Sequence, residues 1–217
     1  MPGPFKDRRA AGRALGEALK AYSGRGDLLV LGLPRGGVPV AAEVARALGA
    51  PLDVCVVRKL GAPGQEELAM GALGPGGIRV LNEEVISALG LTEGALDRAA
   101  AREGAELARR ERRYREGRPP LEVRDRTVIL VDDGIATGST MLAAVRALRR
   151  MGPAALVVAV PVGPPSVLAE LEAEAEEVVC LLREEALFAI GAWYEDFSQT
   201  RDEEVLACLE GALRAAP

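Results

Sequence analysis

The sequence predicts an α/β fold: an open, mostly parallel sheet flanked by helices. Two observations carry that expectation. Several runs of strand length are apolar throughout and rich in Val and Leu, the pattern of strands buried on both faces. Amphipathic stretches of helix length separate them, so strand and helix alternate along the chain.

Taken in order, "DLLVLGL" (27–33) reads as the first strand and "VPVAAEVARALG" (38–49) as the helix after it. "PLDVCVV" (51–57) follows as a second strand, with Arg58 and Lys59 at its end. Residues 59–77 are rich in Gly and Pro and form the longest candidate for a mobile loop. "IRVL" (78–81) is a short strand-like run leading into "EEVISALG", and an Ala/Arg/Glu segment over about 93–116 has helical periodicity, stopped by Gly117 and a Pro pair. "TVILV" (127–131), a helix over 139–152, "ALVVAVPV" (155–162), a helix opened by "PPSVLAELEAEA", "EVVCLL" (177–182) and a closing helix near 201–215 complete the alternation. No internal repeat or low-complexity linker interrupts 1–217, which is read as one domain.

The composition excludes several chemistries. Histidine is absent, which removes Ser-His-Asp and Cys-His catalysis and argues against zinc. Cys55, Cys180 and Cys208 are widely spaced and read as small hydrophobes rather than a disulfide frame. A net charge of -5 gives no global pull toward nucleic acid. No apolar stretch approaches the roughly 20 residues that span a bilayer, and the N-terminus lacks the apolar centre of a secretory signal. The expectation is a cytoplasmic protein that binds neither membrane nor nucleic acid.

The informative stretch is "VILVDDGIATGST" (128–140). A strand delivers Asp132 and Asp133 to its tip, and Gly134 permits a sharp departure. Thr137, Gly138, Ser139 and Thr140 then open a helix whose free N–H groups and dipole favour an anion. Acids beside an anion loop suit a ligand with a phosphate at one end and hydroxyls or Mg²⁺ at the other. A Walker loop would need a Lys before the Ser or Thr, and Gly138 stands there. A dinucleotide fingerprint needs G-x-G-x-x-G, which is missing. The bland alternative is a helix capped by Ser139, with the acids as turn formers.

This segment resembles the signature of the type I phosphoribosyltransferases: apolar strand, two acids, and a small-residue loop ending in Thr-Gly-x-Thr. The resemblance implies that Asp132 and Asp133 hold the ribose hydroxyls of phosphoribosyl pyrophosphate (PRPP), with Mg²⁺ bound to them directly or through water. It implies that Ile135, Ala136, Thr137, Gly138, Ser139 and Thr140 cradle the 5′-phosphate. Arg35, Gly36 and Gly37 fit the family's short pyrophosphate loop, which often contains a non-proline cis peptide that Gly36 would permit. Arg58 and Lys59 would also reach the pyrophosphate. "LGAPGQEELAMGAL" (60–73) resembles the family's flexible loop in location only, and Glu66 and Glu67 there are candidate acids, with surface acids as the alternative. Four of the seven aromatic residues, Phe188, Trp193, Tyr194 and Phe197, gather within ten positions. Residues of about 185–200 would then form a hood over a flat acceptor, with Trp193, Tyr194 and Phe197 against it; a small core under the last helix is the competing reading. The helical segment of about 83–118 exceeds what the minimal fold needs.

The implied activity is transfer of the 5-phosphoribosyl group from PRPP to a nitrogenous acceptor, in a homodimer. The 6-oxopurine members carry Asp before Thr-Gly, whereas this chain has Ala136, which argues against hypoxanthine or guanine. A PRPP-binding regulator without catalysis is the second reading.

Overall fold

The computed structural model describes residues 4–215 except Ala186 and Phe188; the side chains of Glu66, Glu67 and 213–215 also lie outside the described set. The chain runs α1 (Arg8–Ala18), β1 (Leu28–Gly32), α2 (Gly37–Leu48), β2 (Leu52–Val54), β3 (Arg58–Ala62), β4 (Gln65–Leu73), β5 (Arg79–Leu81), α3 (Glu83–Ala88) and α4 (Glu93–Arg115). It continues with β6 (Thr127–Val131), α5 (Ser139–Arg149), β7 (Ala155–Gly163), α6 (Pro165–Glu172), β8 (Glu177–Arg183) and α7 (Asp202–Ala215).

Five strands form an open parallel sheet in the order β2-β1-β6-β7-β8. All five residues of β1 and of β6 are buried, because helices cover both faces. The pleat divides their side chains: Leu28, Val30, Ile129 and Val131 face α1, α2 and α7, while Leu29, Leu31, Val128 and Leu130 face α5 and α6. β1 is the turning point of the strand order, with β2 on one side and β6 on the other. Loops leaving a parallel sheet diverge at such a point and open a crevice beyond the strands' carboxyl ends.

Register fixes which loops share that crevice. Gly32 pairs with Val131, and the Leu33 amide donates to the Val131 carbonyl at 2.9 Å. The turn after β1 therefore lies against the acids after β6.

The region after β2 departs from the sequence-based expectation. Residues 59–77 are not one long loop but most of a second, antiparallel sheet, β3-β4-β5. Pro63 and Gly64 (φ +76°) turn the chain between paired Ala62 and Gln65. Pro presets the first turn angle and Gly accepts the positive one. Likewise, "IRVL" joins this small sheet rather than the parallel one, and Arg58 and Lys59 open β3 instead of closing β2. Mixed apolar and polar positions such as Glu67-Leu68-Ala69-Met70 hide the two-residue period at the level of sequence. Helix α1 is an addition to the expected elements: Asp7 caps it by accepting from the Ala10 amide at 2.7 Å, and Leu15 packs into the core.

The cysteines behave as small hydrophobes. Burial pushes the Cys55 thiol far up and raises Cys180 to about 11, and burial also raises Cys208. Because the thiolate is the reactive form, Cys55 should resist a disulfide-exchange reagent at neutral pH until the protein is denatured. Rapid labelling of Cys55 in the folded protein would contradict its placement.

Candidate active site

The β6 tip supplies both acids. Asp132 is half-buried and its carboxylate accepts from the Asp133 amide at 2.9 Å. Burial, followed by the charge of Asp133, pushes the Asp132 carboxyl well above the usual carboxylate range. Asp133 is held by Arg8 of α1, whose Nε lies 2.7 Å from Oδ2, with both side chains nearly buried (12% and 13% exposed). One guanidinium thus faces two acids, and a half-buried site of that charge favours hydroxyl donors or a cation.

Arg8 is itself fixed. Its Nη1 donates to the Ser198 carbonyl at 2.7 Å, and its guanidinium lies 3.9 Å from the centre of the Phe197 ring. The Tyr194 hydroxyl donates to the Asp133 carbonyl at 2.6 Å, while its ring sits between Phe5 and Phe197, with centroids 5.6 and 4.9 Å away. Burial, then the charge of Asp133, pushes the Tyr194 phenol up, so it remains a donor. Tyr194 and Phe197 therefore form the small core beneath the acids, and neither ring stands free as a stacking face. Trp193 is half-buried in a short 3-10 turn, Ile190–Trp193, and Ile190 reaches the loop after the acids. Phe188 lies outside the described residues. Nothing in the sequence singles out Arg8, which reads there as one more surface charge in "KDRRAAGR".

The loop after the acids lines a cavity of about 190 Å³ with Asp132, Asp133 and residues 134–141, closed on one side by Ile190. Gly138 sits at φ +71° as the residue before α5, and a Cβ there would meet Val167 Cγ1 at 2.3 Å. Its glycine thus serves both turn and packing. Thr137, half-way round, has its Oγ1 3.2 Å from Ser139 Oγ, and the Thr140 side chain is exposed at the start of α5. The first-turn amides of α5 have no intrahelical acceptor. Ile135 differs from expectation: its amide donates to the Val162 carbonyl at 2.9 Å and its side chain is buried in the core. It positions the loop, and the amides able to meet an anion begin after it.

The turn after β1 presses against these acids. A Cβ on Gly36 would lie 1.9 Å from Asp133 Oδ2, and one on Gly37 would lie 2.7 Å from the Val131 carbonyl oxygen and 2.8 Å from Asp132 Cα. The cis peptide of this turn is Pro34–Arg35, before the position expected to allow it. The Arg35 side chain points away from the acids, toward Asp202 at 3.8 Å. Arg58 and Lys59 border a separate cavity of about 390 Å³ that also touches Pro34 and Thr140. There Arg58 is bound to Glu103 of α4 at 2.7 and 2.9 Å. The structure brings 36–37 into direct contact with Asp132 and Asp133, sets Arg58 and Lys59 across the next cavity, and turns Arg35 outward. The side chains of Glu66 and Glu67 are outside the described residues.

A family model of the phosphoribosyl transferase domain matches residues 6–196. The chain belongs to the phosphoribosyltransferase family. A provisionally named phosphoribosyl transferase of Mycobacterium tuberculosis, from two strains, is 49% identical over 210 residues, which is 97% of this chain. This chain spans about half the length of those curated relatives, 47%. The crystal structure of TT1426 from Thermus thermophilus is 48% identical with a TM-score of 0.87, over 95% of this chain and 97% of that one. The five-strand parallel sheet and its flanking helices are those of the type I phosphoribosyltransferases.

The acid pair offers two adjacent carboxylates, a donor type that suits Mg²⁺. Among the described residues no group of three or more Cys, Asp or Glu side chains is arranged to hold a metal alone. Mg²⁺ keeps several waters and is commonly held by one or two carboxylates together with substrate phosphates, a donor set that two adjacent acids beside an anion loop would complete.

Proposed function

We propose that the protein transfers the 5-phosphoribosyl group of PRPP to a nitrogenous heterocycle, releasing pyrophosphate. The observation that carries this reading is the contact between three elements at one crevice: the acid pair, the small-residue loop opening α5, and the Gly36-Gly37 turn. In it, the amides and hydroxyls of Ala136, Thr137, Gly138, Ser139 and Thr140 take the 5′-phosphate. Asp132 and Asp133 accept from the ribose hydroxyls. The Gly36-Gly37 backbone and Arg35, with Arg58 and Lys59 across the adjoining cavity, address the pyrophosphate.

In the reaction the acceptor nitrogen forms a bond to C1′ as the bond from C1′ to the pyrophosphate oxygen breaks, the electron pair leaving with pyrophosphate and the acceptor's proton passing to solvent. Mg²⁺, carried with PRPP to Asp132 and Asp133, would supply charge neutralisation of the leaving group. The chain's own contribution is placement: the loop fixes one end of the sugar, the acids fix its middle, and the cations stabilise the charge that develops on the departing oxygen. The acceptor would lie against the 190–193 turn, where Trp193 is half-buried and Tyr194 and Phe197 support it from below. A homodimer is part of the same proposal.

The test is pyrophosphate release from PRPP and Mg²⁺ over a panel of purine, pyrimidine and smaller heterocyclic acceptors. Acceptor-dependent release is expected with at least one of them. Tight PRPP binding with no release on any acceptor would favour the regulatory reading, and no PRPP binding would overturn both.

A further inference from the structure

Of the arginines in the C-terminal half of α4, Arg110 also borders the cavity of Arg58 and Lys59, whereas Arg109 and Arg113 take no part in the site described above. Arg109, Arg110 and Arg113 project from its C-terminal half and, with Arg35 and Pro34 of the turn after β1, Tyr114 and Asp202, line a cavity of about 320 Å³. Four guanidinium groups thus face one carboxylate. Glu106 pairs with Arg109 and Arg110 at 2.7 Å, and Glu203 pairs with Arg113 at 3.0 Å, but neither lines the cavity.

The carboxylate inside holds a central position. Asp202 accepts from the Tyr114 hydroxyl at 2.6 Å and lies 3.8 Å from both Arg35 and Arg113. Burial, then this hydrogen bond, pushes the Tyr114 phenol up to about 12, so the donor persists at neutral pH. The two 3.8 Å contacts are too long to be hydrogen bonds. Each guanidinium has five N–H donors, and Arg35, Arg109, Arg110 and Arg113 are between 33% and 60% exposed, so each keeps donors for an incoming group. Tyr114 is the one ring in the lining and it is buried, which leaves no face on which a base could stack.

We infer that this cavity is a second anion site, which binds a compact inorganic oxyanion of the phosphate or pyrophosphate type between Arg35 and the arginines of α4. The inference shares Arg35 with the pyrophosphate contacts proposed above but uses none of residues 132–140, and the charges its test removes belong to α4 and α7 alone. Through Arg35 it adjoins the turn that touches the acids, so an oxyanion there draws Arg35 toward α4.

Equilibrium dialysis of the whole protein against radiolabelled phosphate, and separately pyrophosphate, at low ionic strength and without Mg²⁺, tests it. The wild-type protein should bind one equivalent more than the R109Q/R113Q variant, in which Gln preserves helix propensity. D202N removes the competing charge and should tighten that equivalent about fivefold, the factor of one charge contact at about 4 Å in water. The G138V variant, which disturbs the α5 loop, should keep the extra equivalent; this separates failure at the loop from failure here. Equal binding by wild type and R109Q/R113Q, with both folded by circular dichroism, would overturn the proposal, as would weaker binding by D202N.

Discussion

Asp132→Asn should leave the protein at least as stable as the parent, whereas Asp133→Ala should destabilise it by about 3 kcal/mol, although the two acids are neighbours. Their surroundings differ. Asp132 is pushed up by burial and by the charge of Asp133, so ionising it costs the folded state. An amide removes that cost and keeps an oxygen for the Asp133 amide. Asp133 instead answers Arg8, and its loss leaves a nearly buried guanidinium with only the Ser198 carbonyl and the Phe197 ring. Both changes should lower PRPP affinity by about 100-fold, the scale of a lost charged hydrogen bond. Chemical denaturation beside PRPP titration separates the two effects. Equal stability losses would contradict the assignment of Arg8 to Asp133 alone.

The sign of the pH dependence follows. A carboxyl whose folded pKa is raised binds its proton more tightly in the folded state than in the unfolded one. The contribution of Asp132 to stability is therefore greatest below the ordinary carboxylate value of 3.8 and is lost as pH rises from there through the raised value. Asp132→Asn should flatten that part of the stability profile.

Gly36→Ala should keep the fold and cost about 100-fold in PRPP affinity, by the same charged-hydrogen-bond scale. Gly36 has ordinary helical angles (φ -63°, ψ -31°), so Ala meets no backbone strain. The obstacle is space: the new methyl would stand 1.9 Å from Asp133 Oδ2 and 3.1 Å from Arg8 Nε, so the carboxylate must turn away and the ion pair must open. Gly37→Ala differs, because the atoms in its way are the backbone of Val131 and Asp132, which cannot turn aside, and the β6 tip itself would shift. Isothermal titration with PRPP and a melting curve distinguish the pair. A Gly36→Ala protein that binds PRPP normally would show that Asp133 does not need its observed position.

The parallel sheet was legible because its strands are apolar on both faces and bounded by glycine, and periodicity records burial directly. The small-residue turn into α5 was legible because Gly134, Gly138 and the hydroxyls around them are local chemistry. What sequence concealed was geometry between distant segments. Arg8 lies 125 positions from Asp133, and no pattern in "KDRRAAGR" marks which arginine turns inward. The direction of Arg35 is equally invisible, since it depends on Asp202 in the last helix. Residues 58–81 misled because Gly and Pro serve a tight hairpin as readily as a loose loop. The aromatic group near 193 was visible as a cluster, but whether its rings covered a ligand or supported an acid depended on Phe5 from the other end of the chain.

That last contact has a consequence for how the protein matures. The Phe5 amide donates to the Trp193 carbonyl at 2.6 Å, and the amides of Glu195 and Asp196 donate to the carbonyls of Phe5 and Lys6 at 2.8 and 3.0 Å. The clamp on Arg8 joins segments 190 positions apart, so it can form only once nearly all of the sheet has been made. The helix that completes one of the two hydrophobic layers, α7, follows that segment in the chain, so the clamp and the layer are both finished late in synthesis.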